Sequence, residues 1–350
     1  MNNPFILSFG REPLNFIPRT DYIQEIISEF YSDTHPNQTY MITGVRGSGK
    51  TVFLSKIAKT FKNEKHWVVV DLNPERDMLL SLASQLYSQG NVKHLFLNPE
   101  LSVSFNGIGF SVENKKPQDD IEDVIVKIVD YLSKKKIRVL ITVDDVANNK
   151  YIKVFAHTFQ RLIRENYEVF LLMSGLYENI NSVQNNKSLT FLLRVPKLYL
   201  KPLNMPAIKE SYKKILDLDD EVAIELSRLT RGYAYAYQVL GNLMWDNKEK
   251  KITEDVINQF DQYLAEYVYD KLWDGLSEKE KEIANIMCET NEVAIILDES
   301  GLKDKEFSVY RDRMIKHGII YSPRRGALTF VLPRFKDYIL NKQLYDLGYV

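Results

Sequence analysis

The octapeptide Gly44-Val45-Arg46-Gly47-Ser48-Gly49-Lys50-Thr51 constrains this chain more than any other feature. Its spacing, G-x-x-x-x-G-K-T, works only between a strand and a helix. Glycines let backbone amides turn inward with no Cβ in the way, making a concave nest for phosphate oxygens. The helix that follows points its positive end at them. Lys50 supplies a mobile cation for β- and γ-phosphates, and the Thr51 hydroxyl is the expected magnesium ligand. The flanks agree. Residues 39–43, Thr-Tyr-Met-Ile-Thr, read as a short buried strand, and a helix is expected from Lys50 to Phe61. ATP and Mg2+ are therefore the expected ligands, with all eight residues lining the nucleotide.

Further continuous apolar runs, at 67–72, 138–143, 168–173 and 197–200, alternate with helical patterns at 77–88, 119–134 and 150–166. Strands of that kind belong to a parallel sheet covered on both faces. Between alternating runs, Asn106-Gly107 signals a hairpin inserted near 101–113. After Pro206 the strand signal fades, and 208–216, 220–229, 233–245 and 253–272 all read as helices. A capping box, Ser277-Glu278-Lys279-Glu280, opens a last region. It continues with helices at 293–299 and 305–317 and short strands at 319–321 and 328–331, the outline of a winged helix. The expected fold is thus α/β: a P-loop NTPase parallel sheet with helices on both faces, followed by an all-α lid and a winged-helix domain. The expected boundaries are 1–37 for an N-terminal segment, 38–204 for the core, 205–272 for the lid and 273–350 for the winged helix.

The strand 139–143 delivers Asp144-Asp145 to the carboxyl edge of the sheet, where open α/β sheets bind ligands. Asp144 is the expected magnesium-associated acid, acting through water. Asp145 is the candidate to orient or deprotonate the attacking water. Ser174 ends the neighbouring strand, in reach of the γ-phosphate or that water. Arg161, Arg164 and Arg194 are candidates for an arginine that stabilises the transferring phosphoryl, in the same chain or a neighbouring copy. Arg194 is preferred because it lies just before the last strand.

Gly44-to-Thr51, Leu140-Ile141-Thr142-Val143-Asp144-Asp145 and Leu172-Met173-Ser174-Gly175 resemble Walker A, Walker B and sensor 1 of AAA+ and STAND ATPases. Thr230-Arg231-Gly232-Tyr233-Ala234, with Val239-Leu240-Gly241, is similar to the lid motif of STAND and archaeal origin-recognition-like ATPases. The likeness runs over nearly the whole chain, nearest to archaeal-type ATPases with a C-terminal winged helix. Asp144-Asp145 stands where these families often have Asp-Glu, and Ala234 where the lid motif usually has proline. The resemblance implies that Pro18-Arg19 lines the adenine pocket.

The remaining composition narrows partners. The 350 residues carry a net charge of −1, so any nucleic-acid contact needs a local basic face. One exists: from Gly301 onward there are ten basic and five acidic residues. Arg311, Lys316, Arg324 and Arg325 are the candidates to contact double-stranded DNA, with the helix from about Lys305 to His317 in the major groove; a protein partner fits the same outline. The single cysteine, Cys288, allows no disulfide framework and reads as a buried small residue. With no secretory signal and no apolar run near about 18 residues, the expected address is cytoplasmic, with no membrane span. A homo-oligomer is left open. Three functions stay in play: a switch driven by ATP hydrolysis, a phosphotransferase, and a nucleotide-binding regulator with little turnover.

Overall fold

Apolar strands with no polar face have to be covered twice, and the computed structural model shows how this is done. It describes residues 3–8, 13–88, 117–247 and 249–346; the hairpin expected near 101–113 lies outside them. The strands are β1 (Thr39–Thr43), β2 (Trp67–Leu72), β3 (Arg138–Val143), β4 (Val169–Gly175) and β5 (Lys197–Tyr199). They form one parallel sheet in the order β2-β3-β4-β1-β5. After β1 the chain runs to the far edge at β2, and after β4 it passes β1 to add β5 on the other side. The carboxyl end of β1 is therefore the point where connections diverge, the place where such sheets bind ligands.

Side chains alternate between the two faces of each strand. On one face Met41, Val70, Ile141, Leu171 and Met173 share a core with the helices Met78–Ser88, Pro117–Lys134 and Lys150–Arg164. The other face is aromatic. Phe170 of β4 lies 4.7 Å from Phe30 of the helix Thr20–Tyr31, and Trp67 of β2 lies 4.3 Å from Phe61 of the helix Lys50–Lys62, ring centre to ring centre. The helix that opens with Lys50 is thereby fixed on that face. By the same two-residue period, Asp144 follows Leu140 and Thr142, and Ser174 follows Phe170 and Leu172, so both belong to the side carrying Lys50–Lys62. The sheet and its helices, the described residues of Thr20–Thr43 and Lys50–Tyr199, are one compact unit.

A second unit comprises the described residues of Met1–Arg19, Gly44–Gly49 and Leu200–Val350. Its helices are Met205–Leu216, Asp220–Thr230, Ala234–Asp246 and Glu254–Leu264, of which the first and last start at side-chain caps: the Asn204 side chain accepts from the Ala207 amide, and Thr253 from Val256. The single helix expected over 253–272 contains a π turn, Ala265–Tyr269, before resuming at Asp270–Asp274. The capping box forms as the spacing implies, with Ser277 and Glu280 exchanging bonds at the start of Glu278–Ile286. Helices Val293–Ser300 and Asp304–Lys316 follow, then an antiparallel pair, β6 (Ile320–Tyr321) and β7 (Thr329–Phe330), and a final helix, Phe335–Asp346. One continuous core runs from Phe5 and Ile17 through Tyr212, Tyr237 and Phe260 to Phe307, Phe330 and Phe335. No described helix is long and apolar enough to cross a membrane.

Phe170 is fully buried and meets Phe30 and Trp67. Phe170→Ala is expected to cost about 3–5 kcal/mol of stability, measured by urea unfolding. A loss below about 1 kcal/mol would mean the aromatic layer repacks rather than anchoring the helices.

Candidate functional site

The phosphate-type loop is held from outside. Gly47 and Gly49 take positive φ, +72° and +89°, which only glycine adopts without strain. The Arg46 carbonyl accepts from the Tyr233 hydroxyl at 2.6 Å, and the Gly47 carbonyl from the Tyr235 amide at 3.1 Å. The Ser48 carbonyl accepts from Arg19 Nη2 at 2.9 Å, while Arg19 Nε donates to the Lys201 carbonyl at 2.8 Å. Tyr233 is 6% exposed, and burial pushes its phenol well above the ordinary range, so it stays a donor at any working pH. The Ser48 hydroxyl is buried and has no hydrogen-bond partner among the described residues. An orphan of this kind costs about 1–3 kcal/mol unless something polar meets it, which suits a loop built to receive a phosphate.

In the sheet unit the helix Lys50–Lys62 begins at the carboxyl edge, with Lys50 and Thr51 half-buried in its first turn. The Thr51 hydroxyl donates to Asp144 Oδ2 at 2.6 Å, and the Ser174 hydroxyl donates to Asp144 Oδ1. Two hydroxyls from two different elements thus meet on one carboxylate. A carboxylate and a hydroxyl are hard oxygen donors, the kind magnesium takes alongside phosphate oxygens. Asp145 next to it is exposed, in the left-handed region at φ +53°, and the following amide, of Val146, donates to the Ser174 carbonyl at 2.8 Å. That bond stitches the turn after β3 to the end of β4. Behind Asp144 the Thr142 hydroxyl donates to Asp71 Oδ1 at 2.7 Å, adding a second carboxylate to the same side of the sheet.

Arg161 sits in the last turn of Lys150–Arg164 and pairs with Asp123 at 3.3 Å and Glu165 at 3.1 Å. That helix runs back from the carboxyl edge, so Arg161 and the exposed Arg164 fall toward the opposite end of the sheet. Arg194 is exposed at the close of the 3-10 turn Thr190–Arg194, ahead of β5. Pro18 is exposed, whereas its neighbour Arg19 is the loop brace described above. Arg231 donates through Nη1 to the Phe330 carbonyl on β7 at 2.9 Å. In the C-terminal region Arg311 folds onto Asp312 at 3.0 Å, while Lys316, Arg324 and Arg325 are exposed. Sequence reading did not single out Tyr235 or Asp71. It met Tyr233 only inside the lid motif. A separation of 187 residues between Tyr233 and Arg46 leaves no local pattern to betray their bond.

Sheet order, loop and the carboxylate at the end of β3 define a P-loop NTPase fold followed by a C-terminal helical region. Comparison with known proteins places the chain beside particular groups. Residues 18–175 match the model of the KAP family P-loop domain, and residues 266–339 match a domain of unknown function, DUF8462. Among solved structures, the Walker-type ATPase PABY2304 of Pyrococcus abyssi is similar at 11% identity and a TM-score of 0.62, over 96% of this chain and 99% of that one. The Aeropyrum pernix ORC2 protein, solved in ADPNP–ADP complexes, is similar at 13% identity and a TM-score of 0.56, over 95% of this chain and 97% of that one. At these identities the likeness establishes the fold. A comparison with curated proteins gives no match.

A Cβ on Gly47 would lie 2.2 Å from the Tyr233 hydroxyl oxygen, whereas one on Gly301, also at positive φ, would meet nothing within 4 Å. Gly301→Ala should therefore cost only the backbone part, about 1 kcal/mol, and Gly47→Ala about 1–3 kcal/mol more. Equal unfolding midpoints for the two variants would show that Tyr233 does not press on the loop.

Proposed function

We propose that this chain binds ATP with magnesium and cleaves the β–γ phosphoanhydride bond, as a nucleotide-dependent switch whose state is read by its C-terminal region. One observation carries the reading most: the Asp144 carboxylate receives the hydroxyls of Thr51 and Ser174 at the carboxyl edge of the sheet. Magnesium, when bound, would neutralise charge on the β- and γ-phosphate oxygens, with Thr51 and Asp144 as the residues to hold it. Lys50, next to Thr51 in the chain, brings a point charge to the same oxygens. Asp145, exposed and not hydrogen-bonded through its side chain among the described residues, is free to accept a proton from the attacking water or to orient it. Ser174 keeps the Asp144 carboxylate turned toward Thr51.

The switch part rests on how one unit is built. The segment Gly44–Gly49 belongs to the same compact unit as the helices after Leu200 and the C-terminal region. A change in the loop on loss of the γ-phosphate would therefore be felt there. Helices Glu278–Ile286, Val293–Ser300 and Asp304–Lys316 with the β6–β7 pair would serve as a winged helix in this reading. Arg313 is engaged with Glu280 at 3.2 Å, and Arg311 with Asp312, which leaves Lys305, Lys316, Arg324 and Arg325 exposed and unpaired among the described residues. These cations suit DNA phosphates.

Lys50→Ala should abolish ATP uptake in calorimetry. Asp145→Ala should bind ATP and lose turnover in single-turnover assays by on the order of a hundredfold or more. Equal turnover in Asp145→Ala and the unaltered protein would remove Asp145 from the mechanism. For the C-terminal region, affinity for a DNA duplex should fall steeply with salt, and replacing Arg324 and Arg325 by alanine should flatten the log–log slope by about 2. A slope unmoved by that change would take the β6–β7 turn off the DNA.

A further inference from the structure

We infer that Tyr233 and Arg19 are positioning residues for the phosphate loop, holding carbonyls outward so that the amides of Gly47 and Gly49 face the bound phosphates. The inference rests on the ATP-binding reading and adds to it what shapes the loop.

In a trans peptide the C=O of one residue and the N–H of the next point in opposite directions. Fixing the Arg46 carbonyl on the Tyr233 hydroxyl, at 2.6 Å, therefore fixes the direction of the Gly47 N–H. Fixing the Ser48 carbonyl on Arg19 Nη2, at 2.9 Å, does the same for the Gly49 N–H. Between them the Gly47 carbonyl is taken by the Tyr235 amide at 3.1 Å, and the Ser48 N–H closes a turn on the Val45 carbonyl at 3.2 Å. Three successive carbonyls are thus bound by donors outside the loop, and the two glycine amides are turned the other way. A glycine-rich loop has the most backbone freedom to lose, and a carbonyl that swings inward sets its lone pairs against phosphate oxygens. Bonds made before the ligand arrives lower that ordering cost.

Both side chains are built for the task. Tyr233 is 6% exposed, and its hydroxyl oxygen occupies the space that a Cβ on Gly47 would need. Arg19 bridges two carbonyls, Ser48 through Nη2 and Lys201 through Nε, which uses the rigid fork of a guanidinium. A lysine at this place keeps the charge and cannot span both acceptors.

The test uses the full chain with Tyr233→Phe and Arg19→Lys, each titrated with Mg-ATP and followed by the amide resonances of 15N-glycine. In the unaltered protein, Mg-ATP should shift the Gly47 and Gly49 amides together. Tyr233→Phe should weaken ATP binding about tenfold and blunt the Gly47 shift first, and Arg19→Lys should do so with Gly49 first. A purely structural role would move melting temperature without this pairing of variant and amide. Should the unaltered protein take up no ATP, the nucleotide reading fails and this inference falls with it. Should it bind while both variants bind as tightly, or while either variant disturbs both amides alike, the positioning role alone is overturned. Arg19→Lys retaining full affinity would show that Arg19 acts through its charge on the ligand rather than through the loop.

Discussion

A carboxylate at the end of a buried strand organises the polar cluster at the carboxyl edge of the sheet. Asp144 is carried there by β3, whose residues from Val139 to Val143 are buried. Its two oxygens are each bound by a hydroxyl from a different element, Thr51 from the first turn of a helix and Ser174 from β4. Neither hydroxyl could arrive without the sheet order: β4 pairs with both β3 and β1, and the helix Lys50–Lys62 follows β1 by way of the loop. The aromatic layer of Phe30, Phe61, Trp67 and Phe170 then sets the height of that helix above the sheet. Packing on a hydrophobic face and the geometry of a polar cluster are here a single constraint.

The loop poses the opposite problem. Its glycines at 47 and 49 are needed for positive φ, and the same glycines make it entropically expensive to hold. The carbonyls of Arg46, Gly47 and Ser48 are bound by donors from outside Gly44–Gly49. The fixing donors come from an N-terminal segment and from the start of the helix Ala234–Asp246. This explains why a tyrosine at 233 is buried while keeping its hydroxyl, and why Gly232 beside it needs φ +75°: a Cβ there would stand 2.6 Å from the Leu203 carbonyl oxygen. The turn Arg231-Gly232-Tyr233 is shaped to present one phenol.

What could be read from the sequence follows from where each signal resides. The octapeptide and the apolar run ahead of Asp144 are local patterns, and each names the element it belongs to. The strands were legible because parallel strands buried on both faces cannot alternate. The helix Thr20–Tyr31 was hidden in what read as an N-terminal segment, although Ile26 and Phe30 mark its buried side. The π turn at Ala265–Tyr269 was hidden as well, since one extra residue in a helical run leaves the apolar spacing almost intact. Long-range polar bonds were the least visible. Arg19 drew notice for its likeness to adenine-lining residues, and its bonds to the Ser48 and Lys201 carbonyls had no spacing rule to announce them.

Arg231 shows how the helical segment and the C-terminal region are made into one body. It takes a left-handed conformation, φ +47°, at the end of Asp220–Thr230, where glycine would be easier, and its guanidinium reaches the Phe330 carbonyl on β7. Arg334, also left-handed at φ +54°, grips Asp261 with two nitrogens, and the Tyr269 hydroxyl donates to the Pro333 carbonyl. Backbone strain at two arginines is offset by bonds that cross from one group of helices to the next. With a continuous apolar core beneath them, these bonds leave little room for the helices after Leu200 to shift independently. The Arg46 carbonyl is bound by Tyr233, and Tyr233 directly follows the Arg231-Gly232 turn whose arginine reaches β7.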